Sequence, residues 1–251
     1  VVPDISIVIP LRDEELNVLP LHAELTAVMD ALGTDYELIL VDDGSTDGTY
    51  ARLTEIEARD RRARVIRFTR NFGQTAAFSA GFAHSRGRFI VTSDGDLQND
   101  PTDIPRLLAL AATHDIVCGW RRSRQDNFFT RHVPSAVANW LIGLITGIRL
   151  HDNGCSLKVF RAEVVKPLKL QPGMHRYLPA IASQLGGRVT EVVVNHRPRR
   201  FGRSKYGLSR TFRVVVDLVH IRALMRAAVD PSRPAPRLYE TYHVEEVAER
   251  A

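Results

Sequence analysis

Short β-branched runs alternate with helix-periodic stretches from residue 5 to residue 119, and this alternation constrains the fold more than any other feature. The runs are 5–10 (I-S-I-V-I-P), 36–41, 64–69, 89–93 and 115–119. The first is almost wholly apolar, as expected of a strand buried on both faces. Strands alternating with helices predict a parallel sheet with covering helices, an open α/β fold. After 5–10, a helix is expected from about Asn17 on an apolar stripe of Leu21, Leu25, Val28, Met29 and Leu32. Pro20 then fits only in its first turn. The helix after Gly73 carries Ala76, Ala77, Ala80, Gly81 and Ala83, small enough for close packing on the sheet.

Acids recur where the runs end. Glu14 follows the first, Asp42 and Asp43 the second, and Asp94 and Asp96 the fourth. Ligands of open α/β sheets sit at the carboxyl ends of strands. If residues 94–98 stay extended, Asp94, Asp96 and Gln98 converge on one side. Their oxygens suit a hard divalent cation that also holds a diphosphate. The competing reading is a polar turn capping the helix begun by Pro101. Likewise, Asp42-Asp43-Gly44-Ser45 serves as a strand–turn–helix junction, but paired acids exceed what the turn needs.

The chain of 251 residues carries a formal net charge of +5, which favours an anionic partner such as phosphate, nucleic acid or an acidic membrane. Cys118 and Cys155 have neither disulfide-framework nor metal-ligand spacing, so a reduced, cytosolic state is expected. No signal-peptide pattern opens the chain. The longest apolar run, 140–148, is too short to span a bilayer. Any membrane contact would be peripheral.

Beyond Gly119 the pattern changes. Arg121, Arg122 and Arg124 lead into a polar stretch, then Arg131, Ser135 and an apolar helix to about Thr146. Asp152-Asn153-Gly154-Cys155 is a turn before an extended run, 156–160. A short helix at 162–168, a helix at 177–185 and a strand at 189–194 follow. Residues 195–213 hold seven Arg or Lys and no acid, centred on a flexible basic loop, 199–207. An amphipathic helix is expected at 208–229, and the polar stretch 230–251 reads as a loosely ordered tail.

Taken together, Ile9-Pro10 with Glu14, Val41-Asp42-Asp43-Gly44-Ser45, Asp94-Gly95-Asp96-Leu97-Gln98 and Phe201-Gly202-Arg203-Ser204-Lys205-Tyr206 resemble family 2 glycosyltransferases. The similarity is greatest to those that load sugars onto polyprenyl phosphates, and it covers about 5–229. It implies a GT-A fold in one domain, 1–229, with a nucleotide-sugar part at 1–119 and an acceptor part with the basic loop at 120–229. It further implies a donor pocket formed by Pro10, Arg12, Glu14, Val41, Asp43 and Gly95. Asp94, Asp96 and Gln98 would hold Mg²⁺ or Mn²⁺. Arg199 and Lys205 would contact the donor diphosphate, and Arg121, Arg131 and Ser135 the acceptor phosphate. Arg12 departs from relatives that carry an aromatic or small residue there. Many relatives also continue into transmembrane helices.

The chemistry is consistent with that resemblance. Cations aimed at a departing diphosphate stabilise the transition state more than the ground state. An acceptor phosphate is already anionic and needs arginines to position it, not a base. The catalytic residues that the resemblance implies are Asp96, Arg121, Arg131 and Lys205. A soluble hydroxyl acceptor would need a carboxylate base, for which Asp152 is the candidate; its other reading is a turn cap. A nucleic-acid-binding module is the remaining alternative, and it leaves the strand-end acids unexplained.

Overall fold

The computed structural model describes residues 2–122, 142–144, 147–201 and 244–247, the last as backbone only. The first half follows the expected alternation: β1 (Ile5–Leu11), α1 (Glu15–Leu32), β2 (Tyr36–Asp42), α2 (Thr49–Arg59), β3 (Ala63–Phe68), α3 (Gln74–His84) and β4 (Phe89–Thr92). A 3₁₀ turn (Pro101–Asp103), α4 (Ile104–Ala111) and β5 (Ile116–Trp120) come next. The second half contributes β6 (Lys158–Arg161), α5 (Ala162–Val165), α6 (Leu178–Gln184), β7 (Val189–Val193) and β8 (Val244–Val247).

Among the described residues, eight strands join in the order β7-β5-β6-β4-β1-β2-β3-β8. The pairs β1·β2, β1·β4, β2·β3 and β5·β7 are parallel. β6 lies antiparallel between β4 and β5, so those two still point the same way. The sheet is therefore mostly parallel and open. Alternate residues of β1 face opposite sides, as the strand's two-residue period requires. Ile7 and Ile9 pack with Leu21 and Leu25 of α1 and Leu107 of α4. Val8 packs on the other face with Ala77 and Phe78 of α3 and Ile181 of α6. Each such buried aliphatic side chain contributes about 1.5–3 kcal/mol. The small-residue character of α3 allows a close approach: a Cβ on Gly81 would stand 2.1 Å from a methyl of Val8.

Two expectations are corrected here. α1 starts at Glu15, which puts Pro20 in the second turn, not the first. The ring removes the N–H that would bond the Leu16 carbonyl, and Leu16 is exposed, so water can serve that oxygen. Within the expected tail, Val244–Val247 instead pairs antiparallel with β3, bringing Glu246 opposite Arg67. The unpaired edge of β3 offers the backbone groups that order it. The 208–229 helix lies outside the described residues. No helix among those described is long and apolar enough to cross a membrane.

Candidate active site

Parallel register aligns the carboxyl ends of β1, β2 and β4. Leu11 pairs with Asp42, and Val8 with Thr92. The loops that follow are laced together. Asp13, at φ +46°, receives the Thr46 N–H at 2.8 Å and donates its own N–H to Ser45 Oγ. The Glu14 N–H reaches Thr49 Oγ1 at 2.8 Å. Gly44, at φ +64°, lies so close to the β3–α3 loop that a Cβ would stand 2.4 Å from the Arg70 carbonyl carbon. Only glycine meets both demands.

Asp43 accepts the Phe72 N–H at 2.7 Å and the Gly73 N–H at 3.0 Å. It braces the start of α3, a role the sequence reading did not give it. Burial pushes its carboxyl up to about 6. The next residue, Gln74, donates Nε2 to Asp94 Oδ1 at 2.7 Å, so one strand–helix junction links the acids of β2 and β4. Sequence reasoning missed Gln74. Its signal is a lone amide opening a helix of small and apolar residues.

The Asp94–Gln98 segment is not extended. β4 ends at Thr92 and the chain bends, with Leu97 at φ +62°. This corrects the geometry expected from strand alternation. A bulky residue is rare at positive φ. Leu97 is held there by its side chain, only 4% exposed in the core beneath α1 and α4. Burying it offsets the roughly 1–2 kcal/mol left-handed penalty. A Cβ on Gly95 would meet Leu11 Cδ2 at 3.0 Å and the Pro10 carbonyl oxygen at 3.3 Å, so the bend is packed on the end of β1. Asn99 ties the bend to the segment just before β6 by donating to Ser93 Oγ and Ser156 Oγ.

Arg199 bridges two of the strand ends, with Nη2 on Asp96 Oδ2 at 2.5 Å and Nη1 near Glu14 Oε1 at 3.4 Å. Burial, then the charge of Asp94, pushes the Asp96 carboxyl up to about 6, against the pull of Arg199. Among the described residues, Asp94 and Asp96 are opposed by Arg199 and, more remotely, by Arg121, which is itself paired with Asp152, so the pocket is anionic. Gln98 turns Nε2 to the Arg197 carbonyl, leaving its amide oxygen as a hard donor. Among the described residues no group of three or more His, Cys, Asp or Glu forms a metal cage. Mg²⁺ rarely needs one: one or two carboxylates plus substrate phosphates suffice. The residues fit such an ion.

Other expected donor residues fall unevenly. Arg12 lies beside Asp13, Nε to Oδ2 3.6 Å. The Val41 side chain is fully buried in the sheet core. Arg197, unremarked in the sequence, ties the strand-like segment after β7 to Asp100 and to Glu24 of α1, both at 2.6 Å.

On the same edge, Arg121 follows β5. Its Nε and Nη2 donate to Asp152 Oδ2 and Oδ1 at 2.7 and 2.9 Å, and both side chains are buried. Burial opposes that charge, and Asp152 more than outweighs it, so the guanidinium is held above its ordinary value. Asp152 also caps its turn by accepting the Gly154 N–H. Beneath the turn, the buried Lys158 ammonium donates to the carbonyls of Cys155 and Asn153. Arg131, Ser135 and Lys205 lie outside the described residues.

The sheet order and the acid-lined carboxyl edge define a GT-A-type α/β fold, that of nucleotide-sugar transferases. The solved structure of glucosyl-3-phosphoglycerate synthase from Mycobacterium tuberculosis, in complex with Mn²⁺, uridine diphosphate and phosphoglyceric acid, shares this fold. It superposes with a TM-score of 0.69 at 23% identity, covering 88% of this chain and 78% of that one. The chain belongs to glycosyl transferase family 2, whose profile matches residues 6–168, and is a glycosyltransferase. It is 46% identical over 233 residues to dodecaprenyl-phosphate galacturonate synthase of Rhizobium johnstonii, covering 91% of this chain and 69% of that protein. It is 37% identical to undecaprenyl-phosphate 4-deoxy-4-formamido-L-arabinose transferase of Edwardsiella ictaluri, over 86% of this chain and 66% of the relative.

Proposed function

We propose that the protein transfers a sugar from a nucleoside diphosphate to a polyprenyl phosphate, inverting the anomeric carbon. The observation that carries this reading is one sheet edge with an anionic pocket after β4 and a buried arginine clamp after β5. Relatives at 46% and 37% identity, both named for polyprenyl-phosphate products, support it.

Asp94 and Asp96, with the Gln98 amide oxygen, would hold Mg²⁺ or Mn²⁺, which neutralises the charge growing on the leaving diphosphate. Pro10, Arg12 and Glu14 border the nucleoside end, and Asp43 fixes the neighbouring loop. Arg199, with Lys205, grips the diphosphate. Arg121, with Arg131 and Ser135, orients the acceptor phosphate. One acceptor oxygen forms the new bond to the anomeric carbon as the bond to the β-phosphate oxygen breaks. The electron pair leaves with the diphosphate, and no proton has to be removed.

Asp152 favours a phosphate acceptor over a hydroxyl one. Both of its oxygens are engaged by Arg121, so it is poorly placed to act as a base. Residues 1–229 then form one catalytic unit, with 120–229 on the acceptor side. Peripheral contact with the cytoplasmic face of a membrane would follow from a lipid acceptor. The test is a nucleotide-sugar screen with Mn²⁺ or Mg²⁺, with and without a short polyprenyl phosphate. Nucleoside diphosphate release that depends on the lipid phosphate is the expected result. Release that instead follows an added hydroxyl acceptor would refute the reading.

A further inference from the structure

We infer that Arg199 is an exchangeable counter-ion: it neutralises Asp96 until a divalent cation binds, and losing that carboxylate frees its guanidinium for the diphosphate. The inference rests on the proposed metal-assisted transfer and adds an order of events to it.

Arg199 makes one contact to each of two acids, 2.5 Å to Asp96 and 3.4 Å to Glu14, not the two-pronged fork that arginine forms when it pairs for strength. Among the described residues, Asp94, Asp96 and Glu14 outnumber the cations near them: Arg199 is shared, and Arg121, whose charge also reaches Asp94, is spent on Asp152. A small divalent ion demands its oxygens at about 2.0–2.1 Å in near-octahedral array. Arg199 holds Oδ2 of Asp96 and the Gln98 N–H reaches Oδ1, so a divalent ion on this carboxylate sets its charge directly against that of the guanidinium. The two cations therefore compete for one ligand.

The backbone supplies the hinge. The Arg197 N–H bonds to the Gln98 carbonyl at 2.9 Å, and its side chain is pinned by Glu24 and Asp100. The His196–Asn99 bridge holds the residue before it. These anchors do not involve Asp96, so they persist when Arg199 lets go. Among the described residues, movement is confined to 199–201. The exchange thus turns cation arrival into release of the Arg199 guanidinium, and the metal binds before the diphosphate is gripped.

The experiment titrates Mn²⁺ by calorimetry into the wild-type chain and Arg199→Gln, then repeats this with inorganic pyrophosphate present. Removing a charge-assisted competitor should tighten Mn²⁺ binding about tenfold or more, while pyrophosphate in the presence of Mn²⁺ binds the variant more weakly than wild type. Loss of the charge alone moves both affinities in these directions, so the exchange itself is read in the wild-type chain. In wild type alone, hydrogen exchange at 199–201 should rise on adding Mn²⁺, with 195–197 unchanged; this measurement decides the matter if the variant does not fold. Equal Mn²⁺ affinity in both proteins, or unchanged exchange, overturns the inference and leaves the proposed transfer standing. A wild-type chain that transfers sugar without binding Mn²⁺ or Mg²⁺ overturns both.

Discussion

Two arginine–aspartate pairs share the carboxyl edge of the sheet and are built differently. Arg121 and Asp152 meet through two hydrogen bonds with both side chains buried, and the turn and Lys158 support them from below. Arg199 divides itself between Asp96 and Glu14, with a second carboxylate, Asp94, beside the first. The first pair is balanced in charge and held by two bonds through Nε and Nη2, which fixes the arginine in place. The second is anionic in sum and shared, as a site awaiting a cation should be. The same two residue types thus hold an arginine fixed at one end of the edge, where Asp152 braces it, and form a replaceable contact at the other.

Mutations can break this contrast. The largest effect is expected at the brace: Asp152→Ala leaves a buried guanidinium unpaired and should cost about 3–5 kcal/mol of stability by urea unfolding. An unchanged midpoint would show that Arg121 is not held as described. Asp96→Ala should do the reverse. It lowers transfer by roughly 10²–10³-fold, with little change in thermal midpoint, because it removes a charge that burial disfavours. Full activity in this variant would end the metal assignment.

A smaller effect is expected where Asp100 anchors Arg197. Hydrogen bonds from Thr102, Asn195 and Arg197 outweigh burial and hold the Asp100 carboxyl down at about 2. A carboxyl depressed in the folded state contributes stability that is full above pH 4 and lost as pH falls towards 2. That contribution is about 2 kcal/mol. Asp100→Asn should remove most of it at pH 7 and flatten the acid limb of the unfolding curve between pH 4 and 2. A variant as acid-sensitive as wild type would place the anchor elsewhere. Smallest of all, Arg106→Ala, which breaks a half-exposed pair with Asp103, should change stability by less than about 1 kcal/mol.

How much was legible in the sequence follows the same division. The strands β1 to β5 and the acids behind them were readable because β-branched runs and their polar ends are local patterns. The bend at Leu97 was not, because a residue at positive φ is chosen there by core burial that only the fold supplies. β6 is a four-residue strand whose partners are distant in sequence, so its antiparallel place between β4 and β5 had no local signature. The roles of Gln74 and Arg197 are likewise contacts across the fold. Asp152 could be read as a turn cap, and it is one, but its hold on Arg121 spans thirty-one residues.

The most direct test of the central claim is anomalous diffraction from a crystal of the protein soaked with Mn²⁺ and pyrophosphate. The account predicts a manganese peak ligated by Asp94 and Asp96, with Arg199 off Asp96 and on the pyrophosphate. A peak away from these carboxylates, or Arg199 still seated on Asp96 beside a bound ion, would contradict it.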